Sequence, residues 1–281
     1  MKILKKVKRG IKRIFDILKR PDMLILPGQL AFFLLLAMVP TITLITYGAS
    51  LFNVSMDFIS NFILKAFGEN VSELIMPILT DIKFTPNFLI PLLIAFYTAS
   101  GGASSIIVTS NQLYGFKNTG FVKRKIKGLI MIFILVSLVV FLLLIPGFGD
   151  KFIELVRYVN MNEKVTNSIV FFINLSKGPI SWLLIFLLIK IIYTLAPDGA
   201  ISSNYTTKGS LFTTFGVTVV TACYSFYVNY FSHYDILYGG LAHFVILMIW
   251  LYLISYTVII GIAINSEEYR YAHRYYSCIL T

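Results

Sequence analysis

The feature that most constrains this chain is a set of long runs without a single Asp, Glu, Lys or Arg. They cover 23–56, 84–116, 128–149, 178–189 (continuing past Lys190 to Pro197), 209–234 and 236–266. A helix rises about 1.5 Å per residue, so roughly 20 such residues cross the hydrocarbon core of a bilayer. All six runs reach that length. Only 13% of the residues are charged, against about 25% in an ordinary soluble domain. The charges that remain sit at the edges of the runs. Transmembrane strands would show short alternating segments, and the sequence has none. The expectation is an all-α polytopic membrane protein of one domain. Its six spans fall at about 24–52, 85–114, 128–148, 178–197, 209–231 and 239–265.

Orientation follows from where Lys and Arg fall. With both termini on the cytoplasmic side, the inner segments hold seventeen Lys and Arg and the outer segments six. Acids show the reverse bias, five inside and eight outside. Residues 1–22 then form a basic interfacial helix. Ile3, Leu4, Val7, Ile11, Ile14, Phe15 and Leu18 share one stripe, and lysines and arginines occupy the rest. Such a helix suits a membrane surface, where anionic headgroups attract it. Membrane lipids are therefore the expected partners. A nucleic-acid arm would need its apolar stripe buried elsewhere, so no nucleic-acid partner is expected. Residues 57–83 are amphipathic and broken by Gly-Glu-Asn at 68–70, which predicts an outer helical hairpin. Two cysteines, Cys223 and Cys278, cannot build a disulfide framework. The oligomeric state is left open, a homo-oligomer included.

One span has the wrong composition for lipid. Residues 96–115 read FYTASGGASSIIVTSNQLYG, with Gly, Ser, Thr, Asn and Gln where Leu and Ile would be cheaper. At 100° per residue Tyr97, Gly101, Ser104, Ser105, Asn111 and Gln112 fall on one side, with Val108 among them. Ala99, Ala103, Ile106, Ile107 and Leu113 fall on the other. Two readings compete. Gly101, Ser105 and Thr109 form a small-xxx-small series that lets helices approach closely. Alternatively the stripe lines a hydrated path, because Asn111 and Gln112 are costly to leave unpaired in hydrocarbon.

Lys190 is the one Lys, Arg, Asp or Glu well inside a span. Such residues are functional candidates, although Lys190 precedes Pro197 by about 10 Å of helix and its stem can snorkel to the surface. The substrate-path candidates are Tyr97, Gly101, Ser104, Ser105, Asn111, Gln112 and Lys190. His233, Asp235, Tyr238 and His243 form a weaker grouping at the outer edge of the last span. No HExxH, no His/Cys cluster with metal spacing and no GxSxG is present. The expectation is no enzyme, no metal and no cofactor.

Several blocks resemble a known family. LAFFLLLAMVP, FYTASGGASSIIVTSNQLYG, IYTLAPDG followed by TTKGSLFTT, and YGGLAHFVILMIWLYLISYTVIIGIAIN are similar, in order and spacing, to the YihY/BrkB-type bacterial membrane proteins. The resemblance runs from about 26 to 265. It implies six helices in the bacterial cytoplasmic membrane and a transporter-like role. It also implies that the family's older name, ribonuclease BN, is a misassignment. Pro40, Gly101, Asn111, Tyr114, Tyr193, Pro197, Gly209, Tyr238, Gly239, Trp250, Tyr252, Gly261 and Asn265 carry over as pattern residues. The last block departs from the pattern: where the family has Glu in GAELN, this chain reads GIAIN, with Ala263.

A polar-striped, nearly charge-free interior behind a basic inner face points to a flippase- or scramblase-like transporter of a lipid or amphipathic substrate. A small-solute or ion transporter would normally want an intramembrane acid. A non-transporting scaffold stays open.

Overall fold

The computed structural model describes residues 21–51, 89–158, 163–231 and 240–279, together with single positions 16, 19, 60 and 64. Nearly all of the basic segment 1–22, nearly all of the hairpin segment 57–83, and His233, Asp235 and Tyr238 lie outside the described residues. Among the described residues six long helices follow one another: α1 (Asp22–Leu51), α2 (Leu89–Tyr114), α3 (Phe121–Tyr158), α4 (Glu163–Leu195), α5 (Thr207–Phe231) and α6 (Gly240–Ile279), with a 3-10 turn at Ser203–Thr206. Among the described residues there is no strand.

The helices α3, α4 and α6 are 38, 33 and 40 residues long, well beyond their uncharged runs. An apolar run measures the thickness of the hydrocarbon, whereas the backbone keeps its hydrogen bonds until a breaker intervenes. Two breakers are visible. At the end of α2 the N–H groups of Gly115 and Phe116 both donate to Asn111 O at 2.8 Å. This 6→1 closure needs a left-handed residue, and Gly115 supplies it with φ 83°. At the end of α4, Ala196 precedes Pro197, which disfavours further helix. Its N–H makes the last bond, to Ile192 O at 2.8 Å.

The polarity of the bundle is inverted relative to a water-soluble protein. Leu24, Ile25, Ile90, Leu93, Ile94, Phe133, Phe171, Phe172 and Phe215 point outward, while Ser100, Ser105, Thr109, Ser110, Asn111, Ser210, Thr213, Thr214, Ser255 and Asn265 are buried. Water would not tolerate so continuous an apolar exterior; lipid requires it. Among the described residues three helical stretches are long and apolar enough to cross a membrane: Val165–Leu195, Ser203–Tyr227 and Phe244–Ala272. A shorter apolar stretch, Met23–Met38, lies in α1.

Helix α1 packs on α2 and α6, α3 on α2 and α4, and α5 on α4 and α6. Glycines set the spacing of the α5–α6 seam. A Cβ at Gly209 would overlap Gly261 O and lie 2.5 Å from Asn265 Oδ1, and a Cβ at Gly261 would lie 2.6 Å from Tyr193 Oη. The close approach lets polar groups meet in the interior. Gly209 N donates to Asn265 Oδ1 at 2.7 Å, Tyr193 Oη donates to Val258 O at 2.7 Å, and Tyr193 and Thr213 hydroxyls are 2.7 Å apart.

One end of the bundle collects the C-termini of α2 and α4, the N-termini of α3 and α5, and the C-terminal third of α6. Arg270 of α6 donates to Leu113 O at the end of α2. At that junction Tyr114 stacks on Phe116, and Tyr269 meets Tyr114, Phe116 and Tyr205 edge to face, with ring centroids 5.7–5.9 Å apart. Lys117, Lys123, Arg124, Lys125, Lys127 and Lys208 lie at this same basic end.

Candidate functional site

The polar residues of α2 divide between two environments. The first is a closed knot at the basic end. Asn111 is fully buried, and its amide is used on both sides. Its Nδ2 donates to Asp198 Oδ2 at 2.7 Å and to Asn118 Oδ1 at 2.9 Å, and its Oδ1 accepts from Asp198 N at 2.8 Å. Asp198 Oδ2 also accepts from Thr119 N at 3.0 Å and from Thr119 Oγ1 at 3.1 Å. Lys127 Nζ completes the knot, 2.8 Å from Asp198 Oδ1 and from the carbonyls of Ala196 and Pro197. Burial raises the Asp198 pKa, but bonds from Lys127, Thr119 and Asn111, and then the Lys127 charge, outweigh it and hold the carboxyl down at about 2. This is an ion pair with nearly every lone pair occupied.

The second environment is a groove of about 250 Å³ between α1, α2 and α3. Gly101, Ser104, Ser105 and Val108 of α2 form its floor, Gln29 and Phe33 of α1 one wall, and Phe121, Arg124 and Lys125 of α3 the other. Small residues let the walls close on the floor. A Cβ at Gly101 would stand 3.4 Å from the Phe33 ring, and one at Gly128 would stand 3.0 Å from Ser104 Oγ. Ser104 Oγ donates to Ser100 O at 2.8 Å. Ser105 Oγ is buried and has no hydrogen-bond partner. Tyr97 lies exposed at one end of the stripe, with Lys125 Nζ 3.7 Å from its ring centroid and donating to its carbonyl at 2.9 Å. Desolvation lowers the Lys125 pKa from the usual lysine value.

Of the sequence candidates, the structure thus brings Gly101, Ser104 and Ser105 together in the groove with Tyr97 close by. Asn111 is committed to the knot. Gln112 is exposed, and it makes an interaction of its own. Lys190 lies elsewhere, half-buried on α4 with Nζ 5.9 Å from the Phe186 ring centroid. Sequence reasoning did not single out Arg124, Lys125 or Asp198, because each reads as an ordinary loop charge. The signal was there in part: 117–127 packs five Lys and Arg into eleven residues. The plainer back of α2 is the more buried side, with Ala99, Ala103, Ile107 and Leu113 in the core. Among the described residues no three His, Cys, Asp or Glu side chains converge.

A helical chain with an apolar outside and a hydroxyl-lined inside is an integral membrane protein. It belongs to the family described as virulence factor BrkB, whose model matches residues 14–276. It is similar to the ribonuclease-like protein YfkH of Bacillus subtilis, 27% identical over 62% of this chain and 63% of that one. It is also similar to two UPF0761 membrane proteins. One is IL2447 of Idiomarina loihiensis, 24% identical over 46% of this chain and 41% of the relative. The other is PSHAa0171 of Pseudoalteromonas translucida, 30% identical over 25% of this chain and 23% of the relative. The chain thus aligns with less than two thirds of the length of each of these relatives. No solved structure matches it.

Proposed function

We propose that this protein moves a lipid or a similar amphipathic molecule between the leaflets of the bacterial cytoplasmic membrane, as a flippase or scramblase does. In this reading six helices span the membrane, the basic end faces the cytoplasm, and no bond is made or broken. The observation that carries it is the groove. Its floor of Gly101, Ser104 and Ser105 can solvate a polar headgroup without fixed charge, and Phe33, Val108 and Phe121 beside it suit acyl chains. A headgroup crossing lipid unaided must shed its hydration at high cost; a lined groove offsets that cost.

The test is reconstitution of the purified chain into liposomes carrying a fluorescent lipid, followed by chemical quenching of the outer leaflet. Wild-type protein should allow most of the label to equilibrate within minutes. Ser105→Leu, which fills the floor, should abolish exchange while the protein stays monodisperse and inserted. Exchange at the wild-type rate in that variant, or none in wild type, would refute the proposal.

A further inference from the structure

The charge of the groove is one-sided. Arg124 and Lys125 line it, and none of the lining residues is acidic. Two other cations at the same end are paired, Lys127 with Asp198 at 2.8 Å and Lys208 with Glu268 at 2.6 Å. Among the described residues the Arg124 guanidinium has no carboxylate or side-chain hydrogen-bond partner. Lys125 is held by a carbonyl and an aromatic face, neither of which neutralises it.

A second, independent observation lies on the floor. The Ser105 side chain is only 4% exposed, yet its Oγ bonds to nothing. Ser104 and Ser210 donate to a carbonyl of the preceding turn at 2.8 and 2.7 Å, whereas Ser105, like the buried Ser110 and Ser255, does not. Of these three unpartnered serines, Ser105 is the one among the residues that line the groove. A guanidinium, an ammonium and a free hydroxyl supply donors and positive charge. What they lack is an anion rich in acceptor oxygens.

The apolar wall restricts the anion further. Phe33, Phe121 and Val108 border the same 250 Å³, and a small hydrated anion would gain nothing from them. We infer that the groove binds the phosphate of an anionic glycerophospholipid, with Arg124 and Lys125 on the phosphate oxygens, Ser105 donating from the floor, and the acyl-glycerol portion against Phe33, Val108 and Phe121. This inference rests on the groove being a lipid path and names the class of substrate.

Full-length protein in nanodiscs of equimolar phosphatidylglycerol and a neutral glucosyl-diacylglycerol with the same chains provides the test, read by native mass spectrometry of retained lipid. Wild type should retain phosphatidylglycerol about tenfold over the neutral lipid, the scale expected of two charge-assisted contacts. Arg124→Gln with Lys125→Gln should bring the ratio to within twofold of unity, and Ser105→Ala should lower it severalfold. The charge-preserving pair Arg124→Lys with Lys125→Arg should keep most of the preference, which separates recognition from misfolding. Lys208→Gln, at the same end but paired with Glu268, should leave the ratio unchanged.

An undiminished preference in the double Gln variant, or an equal loss in Lys208→Gln, would overturn the assignment. So would inorganic phosphate that stabilises the detergent-solubilised protein through Arg124 and Lys125 without any lipid preference, since the groove would then serve a soluble anion. Leaflet exchange is scored separately. Phosphatidylglycerol enrichment without exchange would refute transport alone, and exchange indifferent to headgroup would refute the headgroup assignment alone.

Discussion

At the scale of single residues, Asp198 shows how a loop acid becomes structural. It follows the proline that ends α4, and its carboxylate is 7% exposed. Four hydrogen bonds from Asn111, Thr119 and Lys127 meet its carboxylate, and its own N–H donates to Asn111 Oδ1. Replacing it strands the Lys127 ammonium and half of the Asn111 amide. Asp198→Asn should therefore cost roughly 2 kcal/mol, the range for hydrogen bonds to charged groups, read as a lower thermal midpoint in detergent. The sign with pH follows from the depressed pKa. The carboxyl titrates near 2 when folded and near 3.9 when unfolded, so its contribution is complete above pH of about 4 and fades as the pH falls toward 2. The gap in midpoint between wild type and Asp198→Asn should thus be constant from pH 7 to 5 and narrow below pH 4. A gap that widens on acidification would contradict the knot. Asn111→Leu belongs with this class of variant, because the side chain is bonded inward rather than along the groove.

At the scale of elements, the spacing between α5 and α6 depends on two glycines. Neither Gly209 nor Gly261 has room for a methyl group, since their Cβ positions run into backbone oxygen or a hydroxyl held by two partners. Gly209→Ala should separate the helices and destabilise by roughly 2 kcal/mol, seen as a loss of thermal midpoint. Gly28, in the second turn of α1, has nothing within 4 Å of its Cβ position. Gly28→Ala should be neutral or stabilise by about 0.5 kcal/mol, because alanine restricts the unfolded chain more than glycine does. Equal changes for both would mean that close approach at Gly209 does not govern the seam. The existence and order of the helices were legible from the uncharged runs. Their ends were not, since α3 and α6 continue over charged residues that a hydropathy reading assigns to loops.

At the scale of the molecule, the basic end draws together Lys and Arg from segments far apart in the chain. If that end is cytoplasmic, as the bias of Lys and Arg predicts, position 117 is shielded from outside. In a chain with Cys223→Ser and Cys278→Ser, Lys117→Cys should react with a membrane-impermeant maleimide only after cells are opened. Labelling of intact cells would invert the orientation and place the groove's cations at the other face.

The candidate site was legible by halves. The stripe Gly101, Ser104, Ser105 was visible because a helical projection needs only local sequence and a period of 3.6 residues. Whether each stripe residue met a helix or a cavity was not visible. Asn111 and Asp198 are 87 positions apart, and no local rule pairs them. Tyr193, Gly209, Gly261 and Asn265, known from the sequence only as pattern residues, turn out to share one seam for the same reason.

What the sequence determined by itself was the solvent and the class of fold. Charge-free runs of membrane length leave the backbone no partner except its own helix, and that requirement is local. What only the tertiary structure decided was the use of each polar group: Asn111 closed in a knot, Ser105 set in the lining of a groove, Arg124 and Lys125 gathered beside it. The physical reason is that a buried hydroxyl or amide is satisfied by whichever neighbour the helix rotation brings within about 3 Å, and that neighbour is set by packing rather than by spacing along the chain.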